Sequence, residues 1–345
     1  MTTKSRTRFG AVVATALAAV LALAGCAQDG AADNGGDSGD PMSLNVGQIS
    51  DSVAFFPLYV AETEGYFEEE GLTLGDRPRL GTGAKLAAAL ESGSIDLAAG
   101  VMTDAFNHAE HRGGTKLVSA LVNAYYVDII VGKDADVAPR DGSLEEKIRS
   151  LEGKQIGITG PGSGTEALVI YLLKQVGLDP STDAELVNLG AEVPAAIGAL
   201  KSGRVDALSF FQPVGQIAEA EGVGDIYISP ARGDIPAMRG EVHGAVFTRQ
   251  SVIDAKPEAV QAFNRAIVKA EETINGDPAR VLELLQGYQE TADQDTLEAL
   301  VPVLQEEIPE EPSFSVDSYQ TAVDFHVETG LISTPPEFEE FVYQP

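Results

Sequence analysis

The chain has 345 residues, 44% of them hydrophobic and 6% aromatic, the balance of an ordinary globular protein with enough length for a large core. Its 53 acidic residues against 23 basic ones give a formal charge of −30, which argues against nucleic acid as a partner and against electrostatic adsorption to anionic lipid. An anionic ligand stays open, because helix N-termini act at shorter range than the summed field.

Lys4, Arg6 and Arg8 precede an apolar run, Ala11 to Ala24, that is too short to span a bilayer comfortably. Residues 1–25 therefore read as a signal peptide. The run ends Leu23-Ala24-Gly25-Cys26, which resembles the bacterial lipobox, and Cys26 is the only cysteine in the sequence. That resemblance implies a diacylated Cys26 and a membrane anchor. A single cysteine excludes an intramolecular disulfide. Residues 26–42, rich in Gly, Asp, Ala and Ser, predict a disordered tether.

Leu44 to Ile49 alternates apolar and polar residues, as a strand does. Asp51 and Ser52 end it and offer acceptors to orphan backbone N–H groups. Pro57 suits the first turn of a helix carried through Leu58, Ala61, Gly65 and Phe67 to Gly71, whose freedom at positive φ stops it. In open α/β sheets, ligands lie in the crevice beyond such a strand. Pro57 to Leu72, PLYVAETEGYFEEEGL, resembles the opening motif of the ABC-transporter solute-binding proteins for nitrate, taurine, aliphatic sulfonates and thiamine precursors. The resemblance runs from about Leu44 to at least Pro257.

Leu90, Ser92, Gly93, Ile95 and Asp96 match Leu200, Ser202, Gly203, Val205 and Asp206 at a constant offset of about 110 residues. Each set predicts an Ala/Leu helix stopped at Ser-Gly, with a strand beginning at the following Asp. Each half then reads strand–helix–strand–helix–strand, a βαβ succession with a parallel core sheet. Leu117 to Gly132 predicts two strands around Asn123–Tyr126, and Val242 to Thr248 one more, which suits a chain crossing to a second lobe and returning. Helices are expected from Lys256–Glu258 onward and over Pro278–Leu285, Gln294–Leu304 and Ser315–Glu328, packing on the first lobe as in the family the chain resembles. The acidic run Gln305–Glu311 reads as a solvated surface.

The candidate ligand loops follow from this topology. Gly160-Pro-Gly-Ser-Gly-Thr165 lies between a strand and a helix, so Gly162, Ser163 and Thr165 are expected to offer donors to a carboxylate-, sulfonate- or phosphate-like edge. No Lys follows its last glycine, so it is not a Walker loop, and Pro161 and Thr165 exclude a Gly-x-Ser-x-Gly elbow. Thr82 in Leu80–Gly83, and Met102 and Thr103 after the next strand, face the same crevice from the first half. Glu192 in Gly190–Glu192, and Phe211 and Gln212 in Phe210–Pro213, are their counterparts. Asp51, Ser52, Phe55, Phe56, Tyr125 and Tyr126 complete the expected set, the aromatics as walls for a planar ligand. No arginine falls in these loops, which counts against a fully charged oxyanion.

Catalytic and metal signals are poor. His108 and His111 share a helix face but lack a third ligand and read as surface residues, while His243 and His326 are isolated. No Cys-His pair or motif-borne Ser-His-Asp set is present. The iron motif of the yeast thiamine-pyrimidine synthases, which share the fold the resemblance implies, has no counterpart. The resemblance thus implies an α/β, two-lobed type II periplasmic-binding-protein architecture, each lobe a mainly parallel sheet flanked by helices. Lobe one is expected over 43–124 plus 241–345, lobe two over 128–236, with the hinge near 125–127 and 237–240. The function it implies is an extracytoplasmic, lipid-anchored, monomeric solute-binding component of an ABC importer, working with a plasma-membrane permease and without cofactor, metal or nucleic acid. An aromatic or heteroaromatic solute, like a thiamine pyrimidine, is favoured over sulfonate or nitrate. The alternative is an extracytoplasmic enzyme on the same scaffold.

Overall fold

The computed structural model describes residues 40–290 and 292–344. The signal peptide 1–25, Cys26 and the tether as far as residue 39 lie outside the described residues. Val46–Gln48 forms β1, buried along its length. Ser52 Oγ then accepts the Ala54 N–H as the chain turns into α1, Phe56–Thr63, with Pro57 in its first turn. The helix expected to reach Gly71 instead breaks at Gly65, where φ is 78°, and a short helix Tyr66–Glu69 resumes before Gly71. A left-handed residue takes the chain off the helical path and ends the helix even where the apolar spacing continues.

The first half continues through α2 (Gly83–Ser92), β2 (Leu97–Val101), α3 (Met102–Arg112) and β3 (Thr115–Val122). The second half runs β4 (Val127–Gly132), β5 (Gln155–Ile158), α4 (Gly164–Gln175), β6 (Glu185–Asn188), α5 (Val193–Lys201), β7 (Ala207–Phe211), α6 (Val214–Ala220) and β8 (Gly224–Ile228). β9 (Gly244–Arg249) returns to the first sheet.

The internal repeat is visible at the level of single bonds. Asp96 Oδ2 accepts the Asn45 N–H at 2.8 Å, and Asp206 Oδ2 accepts the Gln155 N–H, also at 2.8 Å. Val46 pairs with Leu97 and Ile156 with Ala207, both in parallel register. Gly93 and Gly203 take φ of 74° and 68° to stop α2 and α5. Each Asp therefore anchors the start of the parent strand to the start of its parallel neighbour. It does so by satisfying a backbone donor that the ladder leaves open.

Among the described residues the nine strands named above form a four-stranded sheet ordered β1-β2-β9-β3 and a five-stranded sheet ordered β8-β4-β7-β5-β6, and Ser43–Leu44 pairs with Thr73–Leu74 in a two-stranded sheet. The repeat strands pair in parallel as expected: β1 with β2, and β5 with both β6 and β7. The two larger sheets are nevertheless mixed, not mainly parallel. β9 runs antiparallel to β2 and β3, and β4 runs antiparallel to β7 and β8. Every antiparallel pair contains a strand that enters its sheet from the other one. The chain crosses between Val122 and Val127 and again between Ile228 and Gly244. Both sheets belong to one unit, Asp37–Pro345, with a buried cluster that includes residues of each.

The C-terminal helices are α7 (Pro257–Gly276), α8 (Pro278–Tyr288), α9 (Gln294–Glu307) and α10 (Val316–Thr329). α7 packs on α1, as expected for the first half. α10 does not confine itself to that half. It packs on α4, where Lys174 Nζ donates to the carbonyls of Glu328 and Thr329. The acidic run also departs from expectation at one position. Glu306, Glu310 and Glu311 are exposed, but Glu307 is buried and accepts Gln212 Nε2–H at 3.1 Å.

Burial lifts several carboxyls far above their usual range: Glu307 to about 8, Asp128 to about 7 and Glu271 to about 10. Between about pH 4 and pH 8 the folded chain holds protons that the unfolded chain releases, so stability falls as pH rises. The melting temperature is expected to be higher at pH 5 than at pH 8. Glu307→Gln should flatten the fall between pH 6 and pH 8, which separates this group from general surface repulsion. A parallel curve for the variant would refute the assignment to Glu307.

Candidate functional site

Residues of both sheets enclose a cavity of about 580 Å³. One wall is the start of α2, Thr82 to Ala87, with one face of α3. The opposite wall is the Thr159–Thr165 loop with Asn188, Ala191 and Phe211, and the crossings add Tyr126, Val127 and His243. Asn107 Nδ2 bridges the walls by donating to the Gly162 carbonyl at 3.2 Å. A cavity of this size suits a small organic molecule.

Asp104 is the acid on the inner surface. Its Oδ2 accepts the Val101 N–H at 3.1 Å, and its Oδ1 makes no hydrogen bond among the described residues. Glycines make room for it: a Cβ on Gly83 would lie 1.9 Å from Oδ1, and one on Gly100 2.9 Å from Oδ2. Burial raises its pKa to about 7, and the Val101 N–H offsets this only in part. His243 is buried with neither ring nitrogen bonded, its Nδ1 3.9 Å from Glu241, which is itself buried without a partner. Desolvation pushes the imidazole well below its usual pKa and the Glu241 carboxyl well above its own, so the pair is neutral. Gly164 leaves space for this ring, since a Cβ there would approach Nε2 to 3.0 Å.

Of the expected site residues, the structure brings Thr82, Tyr126, Gly162, Ser163, Thr165 and Phe211 to the cavity. The glycine-rich loop, however, spends part of its hydrogen-bonding capacity on itself. Gly162 N–H donates to the Glu166 carboxylate, Ser163 Oγ caps the Glu166 N–H at 3.2 Å, and Thr165 Oγ1 accepts the Thr159 N–H at 2.9 Å. The others lie elsewhere. Asp51 is exposed and paired with Arg79, and Glu192 is exposed at the start of α5. Ser52 and Gln212 are buried against each other, Ser52 Oγ donating to the Gln212 carbonyl at 3.2 Å. Phe55 and Phe56 are 0% exposed and belong to the core, with Phe56 against Tyr59 and Tyr288. The turn at Val53–Phe55 rotates both rings inward. Met102 is core, and Thr103 is buried with its hydroxyl 2.7 Å from His326 Nε2. Tyr125 lies behind the cavity, its ring centroid 3.9 Å from that of His243 and its hydroxyl on the Gly164 carbonyl.

A family model described as the NMT1-like family matches residues 37–286. The chain belongs to the NMT1-like family. A Bacillus subtilis protein provisionally named binding protein YtlA is 22% identical over 297 residues, 85% of this chain and 82% of that one. A 4-amino-5-hydroxymethyl-2-methylpyrimidine phosphate synthase of Aspergillus parasiticus is 25% identical over 241 residues, 66% of this chain and 65% of the synthase. Among solved structures, the alkanesulfonate-binding protein SsuA of Xanthomonas axonopodis bound to MOPS superposes with a TM-score of 0.69. It has 18% identity and covers 88% of this chain and 99% of that one. The fold of this NMT1-like chain is thus that of the periplasmic binding proteins.

Sequence reasoning missed the α3 face. Asp104, Asn107, His108, His111 and Arg112 all line the cavity. Their spacing is a helical stripe, and a polar stripe following a crevice strand was the available signal. His108 is buried, not a surface residue: Nδ1 lies 2.7 Å from Thr115 Oγ1 and Nε2 3.0 Å from Glu91. Desolvation lowers its pKa despite Glu91. His243 and His326 are likewise buried among ring neighbours and not isolated. Arg112, on α3 and outside the loops expected to form the crevice, stands exposed on the lining with no ion pair among the described residues.

Gly83 sits in the first turn of α2, where alanine is intrinsically favoured by roughly 1 kcal/mol. Gly83→Ala is nonetheless expected to destabilise by about 1–3 kcal/mol through the clash with Asp104. In an Asp104→Ala background the same change should be neutral or stabilising. Thermal melts of the four proteins in this cycle check the coupling; a raised melting temperature for Gly83→Ala alone would show that Asp104 yields freely.

Proposed function

We propose that this protein is the extracytoplasmic solute-binding component of an ABC importer, a monomer held at the plasma membrane by a lipidated Cys26. In this reading, 43–124 plus 241–345 and 128–236 are the lobes, which move about the two crossings and close on one small solute for delivery to a permease. The observation that carries it is the 580 Å³ cavity between the sheets, with walls from both halves and the Asn107–Gly162 bond across it. Membership of the NMT1-like family supports the same reading, as do the binding-protein names of YtlA and SsuA. Tyr126 and Phe211 on the lining favour an aromatic or heteroaromatic solute, like a thiamine pyrimidine, over nitrate or a simple sulfonate.

The synthase name of the Aspergillus relative supports a second reading, an extracytoplasmic enzyme on this scaffold. The binding-protein names of YtlA and SsuA favour the first reading. Consumption of metabolites from a crude pool by the purified protein would establish the enzyme reading instead.

A native mass spectrum of freshly purified protein is expected to show a 1:1 complex with a co-purified small molecule. Phe211→Leu, which keeps most of the volume, should weaken that complex by about 1 kcal/mol, roughly fivefold, with little change in the melting temperature of the empty protein. Phe56→Ala should instead destabilise the fold by about 3–5 kcal/mol. Unchanged affinity in Phe211→Leu would remove this cavity as the site. For the anchor, Cys26→Ala should be folded but unprocessed and without lipid; a variant that still carried lipid by detergent partitioning and intact mass would rule out the anchor at Cys26.

A further inference from the structure

Resting on that reading of the cavity, we infer that the solute carries a nitrogen donor of the amidine, guanidine or protonated amine class, which it presents to Asp104 Oδ1. Asp104 is 6% exposed, lines the cavity, and uses one oxygen on the Val101 N–H while the other has no partner. Two glycines are required for that placement, Gly83 against Oδ1 and Gly100 against Oδ2, so the carboxyl is held and not merely tolerated. A buried carboxylate without a second donor is costly, and a charged N–H donor is the partner that removes the cost most fully.

The other cavity groups agree with this polarity. Among the described lining residues Asp104 is the only carboxyl, and Arg112, the only side chain of permanent positive charge, is exposed. His243 is buried without a hydrogen bond and kept neutral by its surroundings, so it adds no competing cation inside. His108 is engaged by Thr115 and Glu91. The glycine-rich loop, which would otherwise favour an anion, already holds the Glu166 carboxylate on the Gly162 N–H. Among the described lining residues Asp104 Oδ1 is thus the one carboxyl oxygen left without a donor, and it repels an oxyanion and favours a donor.

Three probes of like size test this on the full-length protein stripped of co-purified molecules: benzamidine, benzamide and benzoate, titrated by calorimetry at pH 8. Benzamidine is expected to bind at least tenfold more tightly than benzoate, with benzamide between them. Asp104→Asn keeps the acceptor for Val101 N–H and should reduce the benzamidine preference to within about threefold. Benzoate binding as tightly as benzamidine, no benzamidine binding at millimolar concentration, or an unchanged preference in Asp104→Asn would each overturn the inference. Should Asp104→Asn fail to fold, the ranking on the unmodified protein decides alone. An anionic molecule found by native mass spectrometry would overturn this inference while leaving the solute-binding reading intact; a protein that binds no solute at all would remove both.

Discussion

The structure depends on two passages of the chain, among the described residues, between the four-stranded and the five-stranded sheet. Between Val122 and Val127, and between Ile228 and Gly244, the chain passes from one sheet to the other and back. The strands flanking those passages are the ones that pair antiparallel, while the repeated βαβ segments keep their parallel ladders. Loops at the carboxyl ends of the parallel strands in each half consequently face one another. The cavity follows from this, as do the residues that can reach it: strand-end loops from both halves, the crossings themselves, and the face of α3 that follows β2. The contact across it from Asn107 to Gly162 is a single hydrogen bond. Bonds of that kind contribute about 1 kcal/mol each.

Much of this was legible in the sequence because it is repeated there. Ser-Gly-x-(Ile/Val)-Asp at two places encodes a left-handed stop and a carboxylate that accepts the next backbone donor. The structure uses Asp96 and Asp206 identically. Loop positions were legible for the same topological reason. Side-chain direction was not. Phe55 and Phe56 belong to a loop at the crevice, yet a single 3-10 turn sends both rings into the core. Thr103 and Asp104 are neighbours on α3, and only the helical phase decides that one meets His326 and the other lines the cavity. The break at Gly65 was hidden because apolar spacing persists on both sides of it.

Charge has two scales in this molecule. The surface is crowded with carboxylates, giving the chain its −30, and these are solvated and screened. A handful of carboxyls are instead held inside: Glu271 in α7, Glu307 at the end of α9, Glu241 beside His243, and Asp104 in the cavity. An acidic run in the sequence does not announce which member turns inward, as Glu307 does from among exposed neighbours. Burial pushes Glu241, Glu271 and Glu307 toward the protonated, neutral form near neutral pH, whereas Asp104, raised only to about 7, keeps a substantial ionised fraction there.

The Glu166 carboxylate on the Gly162 N–H gives the glycine-rich loop an internal tenant. Glu166 is tethered four residues from that donor, so its effective concentration there greatly exceeds that of any free anion in solution. A diffusing carboxylate or sulfonate must evict it before the loop can offer the same bond. That donor is thereby occupied by a side chain that is not itself part of the lining. The loop keeps the shape of an anion cradle while its own chain supplies the resident charge.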